Sequence, residues 1–508
     1  MIWSIGLSTR DNSEIWVGTD DGLVRVTRDG GKSWADVTPK GVPAWAKIAT
    51  VEPSPTTPGT AYIAVDNHRQ DDFRPYVYRT RDYGATWTPV AAGLPADHFV
   101  GVVRADPVKA GVIYAGTETG VFASVDDGGH WQSLQRNLPV AWVRDLEVHG
   151  NDLIAATQGR AIWVMDDLSP VRQHDSVAAG ARERLFAPAT AMRLRKNQNH
   201  DTPLPKETPV GRNPPTGAVL DYWLAAPAGR VEIEIRDASG AIVRSYSSDA
   251  VVPAADAERY FTADWLVPEP ALGAGAGMHR FVWDLRYPRP HTTEYEYSIS
   301  TAYGTGVPIV PEGPVVAPGE YRVVLRVDGR EQSAPLTVAM DPRVPVDASA
   351  LSSALTLSRE LQALLEKHYT GAAEVEYAGE RAGELRKEQS KNAKVLRALD
   401  DFDKSFASLH TGAGDRTDDL NLMAIGGVLR SVATDVESTD RAPTEPQRKV
   451  VAETAARLDR ALAAWNTLRE TELPQLNTAL VAAGLAPIEI PPVDKIRLSG
   501  PSASREIP

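Results

Sequence analysis

Four stretches of the chain concentrate the residue types that polar recognition or hydrolysis requires. They are Asp20 with Asp21, the run Asn67-His68-Arg69-Gln70-Asp71-Asp72-Phe73-Arg74, Glu118, and Gln158 with Arg160. Trp45, His98 and Trp142 stand in nearby connecting segments. Glycoside hydrolysis needs two carboxylates, one acting as acid and the other as base or nucleophile, and tryptophan faces suit sugar rings. The same set, without a poised acid, serves binding of a glycan or a polypeptide. A simpler reading competes with both: Asp20-Asp21-Gly22 and Glu118-Thr119-Gly120 have the composition of hairpin turns, where acidic residues are favoured anyway. The His68–Arg74 stretch is more informative, because it lengthens one connection without adding a strand; a salt-bridged loop explains it equally well.

Whether these stretches meet depends on the elements that carry them. One pattern, Ser/Thr-x-Asp-x-Gly-x-(Ser/Thr/His)-Trp, occurs three times, with Asp29 and Trp34, Asp82 and Trp87, and Asp126 and Trp131. The aspartates are 53 and then 44 residues apart, the length of a four-stranded propeller blade with an insertion in one copy. The Asp can accept hydrogen bonds from its own turn, the Gly supplies positive φ, and the Trp can wedge between neighbouring blades. Each Asp is therefore expected to anchor its turn and each Trp to be mostly buried. Alternating apolar residues place strands at 2–7, 15–18, 23–27 and from 33 in the first repeat, with matching sets after 48, 100 and 143. A fourth repeat degrades at Asp166-Asp167-Leu168. In a blade meander, the second-to-third turns and the outer-to-next-inner connections emerge together, so the four stretches should share one rim. About four blades are the lower limit for closure, and the chain opens directly on an inner strand. Open flanks are expected, with further blades either upstream of Met1 or on another chain.

The triplicated pattern resembles the Asp-box, or BNR, repeat of sialidases, xyloglucanases and the sortilin propeller. More widely, Trp16-Val17-Gly18-Thr19-Asp20-Asp21-Gly22-Leu23, Tyr114-Ala115-Gly116-Thr117-Glu118-Thr119-Gly120-Val121, Trp163-Val164-Met165-Asp166-Asp167-Leu168 and Leu473-Pro474-Gln475-Leu476-Asn477 look like the C-terminal half of large bacterial proteins labelled BNR-repeat or sortilin-like glycosyl hydrolases. The resemblance implies a propeller in which the box is a structural turn away from the substrate. It also implies an extracytoplasmic location, periplasmic or secreted. Sialidases proper carry an Arg-Ile-Pro stretch of an arginine triad, which this sequence lacks, so no catalytic residue transfers from them.

Downstream, residues 173–217 are rich in proline and irregular, reading as an extended linker. Strand patterns recur over 218–343 at the spacing of an immunoglobulin-like β-sandwich, interrupted by a long Tyr-, Gly- and Pro-bearing loop over about 286–318 that could fold over a neighbouring domain. From 344 to 486 the period becomes about 3.6, with an N-cap expected at Asp347, a capping box at Thr444-Glu445-Pro446-Gln447 and a kink at Pro474. These are helices of a bundle, and 487–508 reads as a disordered tail. The fold class is thus multidomain: an all-β partial propeller of about four blades over 1–172, then the sandwich, then an α-helical bundle.

Composition narrows the function. The 508 residues carry a formal net charge of −13, against a general phosphate-backbone binder, so no nucleic-acid partner is expected. There is no cysteine, which removes disulfides, thiolate metal sites and cysteine nucleophiles. The ten histidines never fall at i, i+4 with a nearby acid, and Gly273-Ala274-Gly275-Ala276-Gly277 precedes a strand, so neither metal nor phosphate-bearing cofactor is expected. No signal peptide is legible after Met1, and no run has the length of a membrane span. The reading is a non-catalytic binding or scaffold protein whose rim takes a glycan or polypeptide through Asp20, Asp21, Trp45, His68, Arg69, Asp71, Asp72, Arg74, Glu118, Trp142 and Arg160. The alternative is a glycoside hydrolase, sialidase- or xyloglucanase-like, with catalytic residues partly outside this chain.

Overall fold

A computed structural model describes residues 1–176, 180–195, 207–208, 211, 213–250, 271–297, 309–410 and 420–496. The chain divides into two compact units, Met1–Ala189 and Thr190–Pro508.

The first unit consists of consecutive antiparallel meanders. Blade 1 is β1 (Ile2–Leu7), β2 (Ile15–Thr19), β3 (Val24–Thr27) and β4 (Ala35–Asp36). Blade 2 is β5 (Lys47–Pro53), β6 (Ala61–Asp66), β7 (Tyr76–Thr80) and β8 (Thr88–Pro89), and blade 3 is β9 (Val100–Ala105), β10 (Ile113–Thr117), β11 (Val121–Ser124) and β12 (Gln132–Ser133). Blade 4 has three strands, β13 (Val143–His149), β14 (Asp152–Thr157) and β15 (Ile162–Met165), and is followed by the short helix α1 (Ser169–Arg172) and strand β16 (Glu183–Leu185).

Sheets that bury both faces need apolar residues on both, and β6 is buried along its whole length between blades 1 and 3. Three cores result. Trp16, Val24 and Ile48 join blades 1 and 2; Tyr62, Val100 and Trp131 join 2 and 3; Tyr114, Val143 and Leu168 join 3 and 4. The inner strands stack in order, β1 on β5, β5 on β9 and β9 on β13, while β1 and β13 share no comparable interface. The ring is therefore open. Ile5 and Leu7 are 60% and 65% exposed on one flank, and Ile162 and Val164 are 69% and 52% exposed on the other.

The repeated turns are built as their residue types dictate. Asp82 accepts hydrogen bonds from the Thr80 hydroxyl (2.8 Å), the Thr86 amide (2.8 Å) and the Thr86 hydroxyl (2.6 Å). Asp29 and Asp126 accept the corresponding bonds from Thr27 and Ser33, and from Ser124 and His130. Ser33 above all holds the Asp29 carboxyl down at about 2. The expectation that every Trp is buried needs correction. Trp131 is 5% exposed and donates from Nε1 to the Val90 carbonyl (2.7 Å), and half-buried Trp87 donates to the Val37 carbonyl (2.7 Å). Trp34 is 42% exposed. The acceptor lies just after the outer strand of the preceding blade, and among the described residues none supplies it to Trp34.

In the second unit, β17 (Ala191–Arg193) lies parallel to β25 (Arg330–Met340), which continues through β24 (Gly319–Val327) and β19 (Val231–Arg236) to β20 (Ile242–Ser247). β18 (Ala218–Leu224) pairs with β21 (Gly277–Trp283) over seven residues. The stretch expected as pure linker therefore supplies an edge strand, because Ala191 and Arg193 alternate inward beside Val338. Much of the rest of 173–217 lies outside the described residues. Of the long loop over 286–318, residues 298–308 lie outside the described residues; the described parts carry the short ladder β22 (Glu296–Tyr297) and β23 (Ile309–Val310) and pack on helices. Gln362 donates to the Pro288 carbonyl (2.6 Å), Arg430 to Glu294 (2.9 Å), and Glu437 accepts from Arg286 (3.0 Å), the Val315 amide (3.2 Å) and Ser358 (2.7 Å).

The helices α2 (Ala348–Glu388), α3 (Ala393–Phe406), α4 (Leu422–Glu437) and α5 (Glu445–Ala482) enclose one core around Leu399, Phe406, Leu458 and Trp465. Asn392, Asn421 and the Thr444/Gln447 box cap three of them through side chains; Asp347 stands at the expected N-cap of α2 but makes no side-chain capping bond. α5 runs on through Pro474 as one helix. Residues 487–496, expected in the tail, are packed: Asn477 exchanges hydrogen bonds with the Ile488 backbone, and Ile488 and Ile496 are buried. Proline-bearing backbone needs no ladder, and Ile488 and Ile490 pack on the helical core. Residues 497–508 lie outside the described residues.

Burial holds the fully enclosed His368 imidazole down at about 4, although its ring Nε2 meets the Leu422 carbonyl at 2.8 Å. An imidazole kept neutral in the fold is protonated first in the unfolded chain. Stability is thus complete above the unfolded value near 6.5 and falls as pH drops toward 4. Helical signal in urea should be lost about 2 kcal/mol more easily at pH 5 than at pH 7, and His368→Gln should flatten that dependence. A pH-independent transition in the wild-type chain would contradict this.

Candidate functional site

Strand order brings the β2–β3, β6–β7, β10–β11 and β14–β15 turns to the same end of the blades as the β4–β5, β8–β9 and β12–β13 connections. At this end the insertion after β6 is held by its own hydrogen bonds. A 3₁₀ turn over His68–Gln70 ends on Asp71, whose φ of 55° is left-handed. Asp72 then accepts two bonds from the Arg74 guanidinium (2.8 and 2.9 Å), one from the Tyr76 hydroxyl (2.7 Å) and one from Asn67 (3.1 Å). Arg74 above all holds the Asp72 carboxyl far below the usual carboxylate range.

Beside this block, residues from three blades meet. His68 stacks on Phe99 (ring centroids 4.5 Å) and stands edge-on to Trp142 (5.5 Å), while Phe99 is edge-on to Trp142 (5.1 Å) and Phe73 closes the cluster. Arg144 covers the Trp142 ring at 3.9 Å, so Trp142 is a supporting wall rather than a bare platform. Trp45, 74% exposed, is the bare indole. Under His68, the enclosed Asp66 carboxylate meets the His68 ring and the Lys47 ammonium (2.6 Å), and Lys47 also sits over Trp3 at 4.7 Å. Burial pushes the Asp66 carboxyl up, but the bonds from Lys47 and His68 outweigh it and hold it below its ordinary value.

These residues form one end of a groove of about 460 Å³ between the inner strands, lined by Trp3, Lys47, Glu52, Arg104, Trp142, Arg144, Asp145 and Glu147 among others. Arg104 donates to Asp145 (2.8 Å) and lies 3.4 Å from Glu52. Burial dominates at Glu52 and raises its carboxyl to about 7 against the opposing pull of Arg104. The native state therefore holds this proton more tightly than the unfolded chain does. The contribution is complete below about 4.5 and disappears as pH rises through about 7. Glu52→Gln should match the wild type at pH 5 and exceed it by about 1–3 kcal/mol at pH 8 in the unfolding of the blades; equal stability at pH 8 would contradict this. A second, shallower depression of about 510 Å³ is lined by Asn67, Gln70, Asp71, Asp72, Phe73, Arg74, Ala96 and Asp97.

No family model matches the chain, and no curated protein does. Among solved structures, YCF48 bound to a D1 peptide is similar over 32% of this chain and 51% of its own, at 19% identity and a TM-score of 0.26. YCF48 from Cyanidioschyzon merolae is similar over 33% and 53%, at 16% identity and a TM-score of 0.25. The Niastella koreensis GH74 enzyme is similar over 48% of this chain and 29% of its own, at 13% identity and a TM-score of 0.26. The chain thus spans about half of each YCF48 structure and under a third of the GH74 enzyme.

The rim residues picked from sequence divide into two groups. His68, Asp71, Asp72, Arg74 and Trp142 gather at the insertion, with exposed Arg69 between them. Asp20 is instead engaged by the Met1 ammonium, Asp21 is held down by the Thr19 hydroxyl, and no hydrogen bond or ion pair links Asp20, Glu118 or Arg160 to the insertion. Sequence reasoning missed Lys47, Glu52, Asp66, Phe99 and Arg104. Asp66 had a usable signal: a carboxylate closing the apolar run Ala61-Tyr62-Ile63-Ala64-Val65 has to find a cationic partner.

Proposed function

We propose that this chain is a non-catalytic binding or scaffold module that holds a glycan or polypeptide segment along the rim and into the groove between its inner strands. One observation carries the reading: Asp72, the carboxylate at the centre of the insertion, is tied up by Arg74, Tyr76 and Asn67 and so does not stand as the free partner of a hydrolytic pair. Arg69, Asp71 and Trp45 are the exposed groups positioned to contact a ligand, with Arg74, Asp21, Glu118 and Arg160 as outlying contacts. The aromatic block of His68, Phe73, Phe99 and Trp142 fixes the floor. We further propose that the three repeated turns are Asp-boxes of the BNR, sortilin-like kind, that the sheets of the second unit form an immunoglobulin-like accessory module, and that the protein works outside the cytoplasm. No helix among the described residues is long and apolar enough to cross a membrane.

Glu52 supports a second reading. A carboxyl raised to about 7 on a groove wall is what a general acid requires, so a glycoside hydrolase completed by residues outside this chain is the alternative. Binding of the full chain to glycan and peptide arrays tests the first reading. Retention of one ligand class, weakened at least about tenfold by Trp45→Ala or Arg69→Ala, is the expected result. Binding indifferent to both substitutions would remove the rim from the account.

A further inference from the structure

The exposed flank of blade 1 repeats, with its partner missing, a contact found twice elsewhere in the unit. At the blade 1–2 junction, Gly84 packs so closely on Val37 that a Cβ would lie 2.6 Å from the valine Cβ, and Trp87 Nε1 donates to the Val37 carbonyl at 2.7 Å. At the blade 2–3 junction, Gly128 packs on Val90 in the same way (2.8 Å), and Trp131 Nε1 donates to the Val90 carbonyl at 2.7 Å. The equivalent glycine of blade 1, Gly31, has nothing within 4 Å, and Trp34 is 42% exposed. The apolar inner-strand residues Ile5 and Leu7 are exposed on the same blade.

From this periodicity we infer that the flank is the docking surface for a further four-stranded blade, carried on polypeptide outside residues 1–508. Its outer strand should end in a β-branched residue that covers Gly31 and offers its carbonyl to the Trp34 indole. The geometry argues against a second copy of this chain. The Val37 and Val90 carbonyls are already taken, and blade 4, at the other end of the row, has three strands among the described residues and no fourth from which the acceptor would come. Exposed Ile and Leu on the inner strand together with an exposed indole on the same blade are the kind of surface that blade repetition normally covers.

The test extends the full chain upstream with a copy of residues 47–99, a blade and its natural connection to the next inner strand, placed before Ile2. With ¹⁹F-labelled tryptophan, the Trp34 resonance, identified by its loss in Trp34→Phe, should lose its solvent-isotope shift in the extended chain. The unfolding midpoint of the blades should also rise, and Trp34→Phe should reduce that rise. An extended chain that folds with Trp34 still solvent-exposed would overturn the inference. So would protection of Trp34 in the unextended chain at high protein concentration, which would assign the flank to a second copy.

Discussion

Trp131→Ala should destabilise the blade unit by about 3–5 kcal/mol, whereas Trp34→Ala should cost less than about 1 kcal/mol, although the two residues occupy the same place in the repeat. Trp131 is enclosed between blades 2 and 3 against Val90, Leu94 and Tyr62, and its indole proton is satisfied by a backbone carbonyl. Truncation there removes a large apolar side chain, leaves a cavity and strands the carbonyl. Trp34 is 42% exposed, so its truncation removes far less buried surface. Half-buried Trp87, edge-on to Trp16 at 6.1 Å, should fall between them. Urea unfolding of the three variants gives the ranking directly, and a Trp34→Ala loss equal to that of Trp131→Ala would mean that the flank is not open.

Asp106→Ala should be as damaging, at about 3–5 kcal/mol. Asp106 is fully buried and accepts two bonds from the Arg172 guanidinium (2.9 and 3.1 Å), one from Tyr114 (2.9 Å) and two from the Val108 and Lys109 amides (2.8 and 2.9 Å). Arg172, itself 9% exposed, also reaches Asn151 and the Gly150 carbonyl, so this cluster fastens α1 across blades 3 and 4. Without the carboxylate, a guanidinium and a phenol lose their partner in a dry site. Asp106→Asn keeps acceptor capacity for the amides and should cost less. An unfolding midpoint unchanged in Asp106→Ala would show that the cluster is dispensable.

The blades were legible because period-2 alternation and the Asp-Gly-Trp turn are local properties: Asp82 finds all its partners within four residues. Trp34 was misjudged because burial of a wedge depends on the neighbour, and sequence identity at Trp34 and Trp131 carries no information about whether a blade stands beside it. The same limit hid the groove. Lys47 and Asp66 begin and end a hairpin in sequence and face each other across its open end, and Arg104 and Asp145 come from different blades, so their pairing depends on register and stacking that no single window contains. The edge strand Ala191–Arg193 was lost for a related reason, since three residues are too few to show a period of their own and are recruited by β25. The helices carried their own punctuation in Asn392, Asn421 and the Thr444/Gln447 box.

The account turns on whether a ligand held at the rim is left intact. The direct measurement is to load the full chain with a glycan or peptide retained on the arrays, incubate across pH 5 to 8, and determine by mass spectrometry what is recovered. Recovery of the ligand with its original mass, and no new reducing ends or peptide termini, is the predicted result. Release of new ends that disappears in Asp20→Asn, Asp71→Asn or Glu52→Gln would contradict it and establish the chain as part of a hydrolase.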